Sequence, residues 1–125
     1  MTESLGAALE AVGILFRENF TCCGCEIIEE KQPRHLGFAF FNEQDIELAA
    51  LSGTLYLTFG AFAKKKTKAM DDAVGATITK VAKEQGICIQ WSGSSSDRIR
   101  LDGLDKSYYK NLLLEDDKEN IPPTN

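Results

Sequence analysis

Two apolar runs separated by a short polar segment form the centre of the sequence. The first run covers residues 36–41 and the second covers residues 54–60. Both runs are nearly continuous in apolar side chains, which is typical of strands that are buried on both faces. The pattern therefore predicts two central strands, of which the second is the innermost strand of a sheet.

A short helix is predicted over residues 43–51, between the two central strands. The side chain of Asn42 is placed to accept the backbone N–H of Asp45, which can reach back to the backbone of Asn42 as in a capping box. Gly53 then supplies the left-handed residue that ends many helices. Helix capping thus explains why polar residues occur at Asn42, Glu43, Gln44 and Asp45. Their position at the end of a buried strand also makes them candidate binding residues.

Amphipathic helices are predicted on both sides of this centre. Ser4 can cap a first helix whose apolar residues recur every three or four positions as far as Phe16. A longer stripe from Met70 to Ala82 predicts the clearest helix of the chain, and Gly86 ends it. These two helices are expected to flank the sheet.

Two further strands are predicted after the long helix. The apolar run at 87–91 follows the helix directly, and a strand, a long helix and a strand with short joints indicate a crossover between parallel strands. Residues 98–101 alternate between polar and apolar side chains, which predicts a half-exposed edge strand. The run at 104–114 predicts a last helix.

These elements predict a small α/β or α+β domain. Its mixed sheet should have four to five strands, flanked by the N-terminal amphipathic helix and the long crossover helix. A length of 125 residues fits one such domain. We expect the globular part at 1–114 and a disordered acidic tail at 115–125, because the tail has almost nothing apolar to bury.

Charge and hydropathy exclude several classes of protein. The chain has 14 lysines and arginines against 19 acidic residues, a net charge of -5, which argues against a nucleic-acid surface. No apolar run approaches the ~20 residues that span a bilayer, and the N-terminus lacks the positive flank of a signal peptide. We therefore expect a cytoplasmic protein whose partner is another protein or a small molecule.

The cysteines leave a metal site open. Cys22 and Cys25 have the spacing of half a zinc site, and the remaining candidate ligands are Cys23 and the single histidine, His35. A pair of reduced thiols packed beneath the first helix explains the same spacing, and a redox pair is a third alternative. Zinc at Cys22 and Cys25 is the one cofactor that the sequence suggests.

Aromatic residues suggest a second candidate site. Tyr56, Phe59, Phe62 and Trp91 fall on or near the predicted strands, where they form either an aromatic-lined pocket or part of the core. The lysine-rich segment at 64–68 precedes a helix that begins with Asp71 and Asp72. We interpret it as an exposed loop rather than a phosphate site, because the aspartates would repel an anion.

Three segments, FFNEQD, SGTLYLTFGAF and GICIQWSGSSSDRI, resemble those of an uncharacterised bacterial domain-of-unknown-function family. The resemblance extends from about Phe20 to Leu101 and includes a Cys-x-x-Cys turn that would match Cys22 and Cys25. It implies a small α/β or α+β domain and supplies no catalytic residue. Relatives are expected to carry histidine where this chain has Asn42. This departure from the family pattern argues against a mechanism that needs an imidazole at that position.

The sequence therefore favours a non-catalytic binding or regulatory domain. We expect it to act through the strand ends near 42–45 and 60–62, with Tyr56 and Trp91 as further binding residues. One alternative is a zinc- or thiol-dependent protein that uses the Cys22/Cys25 turn. Another is a hydrolase-like enzyme that uses Glu43 and Asp45.

Overall fold

Four helices and five strands make up the described part of the chain. The computed structural model describes residues 2–18, 31–63, 65 and 67–120, with side chains of the first and last helices described only for 4–11 and 106–114. In chain order the elements are α1 (Thr2–Ala11), β1 (Ile14–Arg17), β2 (Gly37–Phe40), α2 (Glu43–Ser52), β3 (Leu55–Ala61), α3 (Lys68–Glu84), β4 (Cys88–Gln90), β5 (Ile99–Asp102) and α4 (Lys106–Asn120).

The strands form one mixed sheet in the order β1-β2-β3-β5-β4. β1 and β2 are parallel, whereas β2–β3, β3–β5 and β5–β4 are antiparallel. β3 is therefore the innermost strand, as predicted. β3 and β4 point in the same direction, so α3 does connect parallel strands. The predicted α/β class, with a mixed sheet flanked by helices, is confirmed.

The prediction of an edge strand at 98–101 is wrong. β5 lies between β3 and β4, and β4 is the edge strand on that side of the sheet. The alternation along β5 has a different cause: Ile99 and Leu101 are buried, while Arg100 and Asp102 are half-buried on the other face. A strand with only one fully buried face shows the same alternation of polar and apolar side chains whether it lies at the edge or inside a sheet.

The first helix is shorter than predicted. α1 ends at Ala11, and Gly13 adopts the left-handed conformation with φ 85°. The chain then enters β1, so Phe16 belongs to a strand and not to the helix. Its apolar spacing matched a helical face by coincidence, because a short apolar run does not by itself distinguish a helix from a strand.

All four helices contribute to the core on one face of the sheet. A single cluster of buried residues joins the strands to α1 through Leu5, to α2 through Ile46, to α3 through Ile78 and to α4 through Tyr109. The opposite face has a separate small cluster of Leu15 and Phe40, with half-buried aromatic side chains against it. Among the described residues, no helix contributes to that second cluster.

The innermost strand is consequently not buried on both faces. Along β3, Leu55 and Leu57 are buried, while Tyr56 and Thr58 between them are half-buried. The prediction of a doubly covered strand is wrong here, because Tyr56 and Thr58 point to the face opposite the helices. Only the position of β3 at the centre of the sheet is confirmed.

The last helix extends beyond the predicted domain boundary. α4 ends at Asn120 and so continues into the acidic segment that begins at Glu115. The division at residue 114 stays a prediction. None of the helices in the described ranges combines the length and the hydropathy that a membrane span requires.

Candidate ligand groove

An apolar groove opens at one end of the sheet, between the α1–β1 connection and α3. At its base, Ile14 of β1, Gly37 of β2 and Ala61 of β3 occupy neighbouring register positions. The groove has a volume of about 300 Å³ and is lined by Val12, Ile14, Leu36, Ala61, Phe62, Met70, Ala73, Val74 and Thr77. Its size falls at the lower end of known ligand sites.

The base of the groove depends on a glycine. A Cβ at Gly37 would lie 2.7 Å from a methyl carbon of Val74 and 2.8 Å from the carbonyl oxygen of Gly60. Both distances are shorter than real Cβ contacts, so only glycine lets α3 approach β2 this closely. Gly37 therefore fixes how near α3 lies to the sheet.

The rim of the groove exposes large apolar side chains. Leu36 is 68% exposed, Val12 is 45% exposed and Met70 is 40% exposed. An exposed apolar patch of this kind marks interaction sites on soluble proteins. Met70 adds a flexible, polarisable side chain of the type that adapts to different partners.

The polar groups around the groove are already engaged. The backbone N–H of Ala61 donates to Asp71 Oδ1 at 2.8 Å, and the backbone N–H of Phe62 donates to the carbonyl oxygen of Leu36 at 2.9 Å. The hydroxyl of Thr77 donates to the carbonyl oxygen of Ala73 at 3.1 Å. The groove therefore offers apolar contact and no reactive group among these residues.

The carboxylate of Glu10 fastens one wall of the groove. Glu10 Oε2 lies 3.0 Å from Nε2 of the buried His35 and 2.8 Å from Nη2 of Arg34. These two residues immediately precede Leu36, which forms the wall. Glu10 itself is only two residues before Val12. Its carboxylate therefore links the segment that carries Val12 to the segment that carries Leu36.

Both ring nitrogens of His35 are occupied. Nδ1 accepts the backbone N–H of Gln32 at 2.9 Å, so Nε2 is assigned the proton that faces Glu10. The sequence offered His35 as a possible further zinc ligand, and it would first have to give up one of these bonds. The structure therefore does not favour that role.

The charge of Glu10 is stabilised by this arrangement. Burial raises the pKa of Glu10, but hydrogen bonds from His35, the backbone of Phe16 and Arg34 lower it, and the net result is a pKa below the ordinary 4.5. A carboxylate with a lowered folded pKa contributes stability that is complete above its unfolded pKa. That contribution is lost as pH falls through the folded value.

We therefore expect Glu10→Gln to destabilise the protein in a pH-dependent way. At pH 7 the loss should be about 1–2 kcal/mol, since charge-assisted hydrogen bonds are replaced by weaker ones. The difference between the wild type and the variant should shrink as pH falls below the ordinary value of 4.5 and through the lowered folded pKa of Glu10. Urea unfolding between pH 3 and pH 7 measures this, with the exposed Glu47→Gln as control. A difference that persists unchanged at pH 3 would contradict the assignment.

The predicted capping box is present at the other end of β2. Asn42 Oδ1 accepts the backbone N–H of Asp45 at 3.0 Å, and Asp45 Oδ2 accepts the backbone N–H of Asn42 at 3.1 Å. Gly53 ends the helix in the left-handed conformation, also as predicted. The polar segment thus has a structural role that the sequence alone indicated.

Arg98 is the partner of Asp45 that sequence reasoning missed. Its guanidinium donates to both carboxylate oxygens of Asp45, at 3.0 and 2.7 Å, and also to the carbonyl oxygen of Tyr56 at 2.9 Å. It lies 5.8 Å from the centre of the Tyr56 ring. The sequence does show Arg98, in the Arg-Ile pair that ends GICIQWSGSSSDRI. No local pattern, however, links this arginine to the aspartate of FFNEQD.

This pairing does not favour the hydrolase-like alternative. Both oxygens of Asp45 are occupied by donors, whereas Glu43 and Gln44 are exposed and no hydrogen bond links either side chain to Asp45 among the described residues. A general base needs an oxygen that is available to a substrate proton. The assignment of Asn42, Glu43, Gln44 and Asp45 as binding residues stays a prediction.

The four aromatic residues do not form one cluster. Phe59 packs edge-on against Trp91, with ring centres 5.6 Å apart, on the helix-covered face. Phe62 instead contacts Phe38 at 5.3 Å, and Tyr56 lies beside Arg98. The clustering prediction is wrong, because alternation along β3 sends Tyr56 and Phe59 to opposite faces.

Trp91 has an evident structural role. Its indole N–H donates to the carbonyl oxygens of Ser94 at 3.0 Å and Asp97 at 3.1 Å, which fixes the serine-rich turn between β4 and β5. Its ring also packs against Gly75 of α3, where a Cβ would lie 2.5 Å from it. As a binding residue, Trp91 stays a prediction.

The two predicted strand ends lie at opposite ends of the sheet. Because β2 and β3 are antiparallel, Gly37 pairs with Ala61 and Phe40 pairs with Thr58. The segment from Asn42 is therefore remote from Phe62 and from the groove. The sequence-based hypothesis treated these ends as one acting surface, and only the end at 60–62 borders the groove.

The cysteine prediction lies outside the described residues, since Cys22, Cys23 and Cys25 all belong to the segment 19–30. Within the described ranges, no group of three or more histidine, cysteine, aspartate or glutamate side chains is arranged to hold a metal ion. Zinc at Cys22 and Cys25 stays a prediction.

Comparison with known proteins places the chain in a family. Residues 3–106 match the model of a family described as a domain of unknown function (DUF6891). The chain belongs to the DUF6891 family. No curated protein and no solved structure matches it. The resemblance to a domain-of-unknown-function family that the sequence segments suggested is thereby confirmed.

The groove lies wholly within the DUF6891 region. Every residue that lines it falls between Val12 and Thr77, inside the matched range. The matched range ends at Lys106, which is the first residue of α4. Nearly all of α4 and the acidic segment thus follow the part of the chain that defines DUF6891 membership.

Proposed function

We propose that this DUF6891 protein is a non-catalytic binding domain whose groove takes the apolar face of an acidic peptide segment. The observation that carries the proposal is the exposure of Val12, Leu36 and Met70 around one apolar groove. Three large apolar side chains around one concave surface represent a free-energy cost in water that a bound partner would remove.

The form of the groove favours a helical peptide. One wall is a helix face, on which Met70, Ala73, Val74 and Thr77 recur at helical spacing. An amphipathic helix inserts apolar residues at matching three- and four-residue intervals into such a surface. With about 300 Å³ available, two or three apolar side chains of the partner would fill the groove.

The charge around the groove favours acidic flanks on that peptide. Lys31 Nζ lies 5.5 Å from the ring centre of Phe62, and the segment between β3 and α3 contains lysines at 64, 65 and 66 in the sequence. Glu10 is ion-paired with Arg34 and Asp72 with Lys68, while Asp71 accepts the backbone N–H of Ala61. Lys31 and the lysines at 64–66 of the sequence are the basic residues that these pairs leave over, on a chain that is acidic as a whole.

The test uses a designed peptide, because the groove indicates the chemical character of the partner and not its sequence. A fluorescent amphipathic helix with leucines at positions i, i+3 and i+7 and glutamates on both flanks is titrated with the full chain, and anisotropy is measured. We expect Met70→Glu to weaken binding by at least tenfold, since burial of one such side chain contributes about 1.5–3 kcal/mol.

Two controls make the result specific to the groove. Leu51→Glu alters an exposed apolar side chain outside the groove, 78% exposed on α2, and should leave the affinity unchanged. A scrambled peptide of the same composition should bind at least tenfold more weakly. Equal affinities for both peptides, or equal losses in both variants, would contradict the proposal.

A further inference from the structure

A short turn before β2 is closed by the buried side chain of His35. His35 is 3% exposed, and its ring nitrogen Nδ1 accepts the backbone N–H of Gln32 at 2.9 Å. In the opposite direction, the backbone N–H of His35 donates to the carbonyl oxygen of Gln32 at 3.0 Å. Ring and backbone together therefore hold residues 32–35 in one closed turn.

Protonation of the ring would remove one of these two bonds. Since Nε2 carries the proton that faces Glu10, a second proton enters only at Nδ1, and Nδ1–H then faces the backbone N–H of Gln32. Two donors cannot bond each other, and a buried donor without an acceptor is costly. Histidine side chains ordinarily change charge between about pH 5 and pH 8, so mild acid is the signal.

The nearest charge favours the protonated ring. Among the described residues, the ring contacts the carboxylate of Glu10 from α1, and that carboxylate also pairs with Arg34 at 2.8 Å and with Arg17 of β1 at 3.8 Å. Burial of Glu10 is outweighed by its hydrogen bonds, which hold its pKa below the ordinary 4.5, so it stays ionised in mild acid. An ionised carboxylate 3.0 Å from Nε2 attracts an imidazolium, and the two arginines moderate that attraction. The protonated ring therefore keeps Glu10 as its partner and gives up the N–H of Gln32.

The two ends of the turn are fastened differently. At its C-terminal end, Leu36 is fixed by backbone hydrogen bonds of 2.7 Å to the α1–β1 connection and 2.9 Å to Phe62. At its N-terminal end, Gln32 is bonded to the imidazole, and Lys31 before it places Nζ 5.5 Å from the centre of the Phe62 ring, which lines the groove. Loss of the Nδ1 bond therefore loosens the turn at the end that carries Lys31 and leaves Leu36 in place.

Resting on the proposed function, we propose that His35 is a pH switch for the groove. When His35 is neutral, the closed turn holds Lys31 beside Phe62, where its charge attracts the acidic flank of a bound peptide. When His35 is protonated, the turn opens and Lys31 no longer has a fixed position at the groove. Affinity for an acidic partner should then fall in mild acid, by about threefold for the loss of one exposed charge pair.

The turn is tested by NMR on the ¹⁵N-labelled full chain between pH 7.5 and pH 5. Long-range ¹H–¹⁵N correlations report which ring nitrogens of His35 carry protons, and amide hydrogen exchange reports on Gln32. We expect a second ring proton in acid, together with about tenfold faster exchange of the Gln32 amide relative to its intrinsic rate. The Leu36 amide is the control and should stay protected. An equal change in both amides, or a ring that stays neutral at pH 5, overturns the inference.

Two variants establish the cause. His35→Asn keeps an acceptor oxygen near the position of Nδ1 but cannot become charged, so protection of the Gln32 amide should no longer depend on pH. Glu10→Gln keeps an acceptor for Nε2–H but removes the charge that stabilises the imidazolium, so the turn should open about one pH unit lower. A wild-type response in His35→Asn, or an unchanged opening pH in Glu10→Gln, contradicts the switch.

The designed peptide separates this inference from the proposed function. Its affinity is measured by anisotropy at pH 7.5 and pH 5.5 for the wild type, for His35→Asn and for Lys31→Gln. The wild type should lose about threefold more affinity in mild acid than either variant, since both variants report only the change due to the peptide's own glutamates. If all three lose affinity equally, the switch is overturned while the proposed function stands. If the peptide binds at neither pH, the proposed function fails, and control of the groove by His35 fails with it.

Discussion

Asp45→Ala is expected to lower the free energy of unfolding by about 3 kcal/mol. Asp45 is 8% exposed, and its carboxylate accepts two hydrogen bonds from Arg98 and one from the backbone of Asn42. Removing one member of a buried ion pair costs about 3–5 kcal/mol, and the loss of a helix cap adds about 1. We discount the sum to about 3 kcal/mol because the Arg98 side chain is 41% exposed and its charge is therefore partly screened by solvent.

Urea unfolding at pH 7 measures this loss, with Glu43→Ala as the matched control. Glu43 lies in the same first turn of α2 but is exposed, so its removal should change stability by less than about 0.5 kcal/mol. Asp45→Asn should fall between the two, because an amide keeps one cap acceptor and loses the ion pair. If Asp45→Ala and Glu43→Ala have equal effects, the Arg98 bridge does not stabilise the fold.

Gly37→Ala is expected to cost about 2–3 kcal/mol, since overpacking of a filled core typically costs about 1–3 kcal/mol and here meets backbone as well as side chain. The added methyl group would lie within 3.0 Å of both Val74 and the carbonyl oxygen of Gly60. α3 would have to move away from the sheet, which would also reshape the groove. Thermal unfolding measures the stability change, and the designed peptide reports on the groove.

A double-mutant cycle identifies the cause. Val74→Ala removes the methyl groups that the new Cβ would strike, so combining it with Gly37→Ala should cost less than the sum of the two single changes. The carbonyl of Gly60 remains, so the rescue should be partial. Additive losses would show that steric contact with Val74 is not responsible.

Local patterns predicted much of this fold because the forces involved act over a few residues. The capping box of Asn42 and Asp45, the glycine end at Gly53 and the stripe along α3 all depend on spacing within one helix, and all are present. β3 was recognised as innermost from its apolar run. Gly13 shows the limit of this reasoning, because its left-handed turn separates α1 from β1 within one apolar pattern.

The candidate site could be predicted only in part. The strand end at 60–62 was proposed and does border the groove, but the other proposed end lies across the sheet. Arg98 was assigned to an exposed edge, and its partner Asp45 is 53 positions away in the chain. Neither the ion pair nor the groove has a local signature, since each joins residues from separate elements.

The sequence by itself determined the elements near the centre of the chain, how the helix at Asn42 begins, and which side chains prefer the core. The tertiary structure decided which strand ends meet and which apolar residues remain exposed. Side-chain periodicity states which face of an element is buried but not which element covers it. The antiparallel pairing of β2 and β3 therefore placed Asn42 and Ala61 at opposite ends, and the packing of α3 over Gly37 built the groove from Val12, Leu36 and Met70.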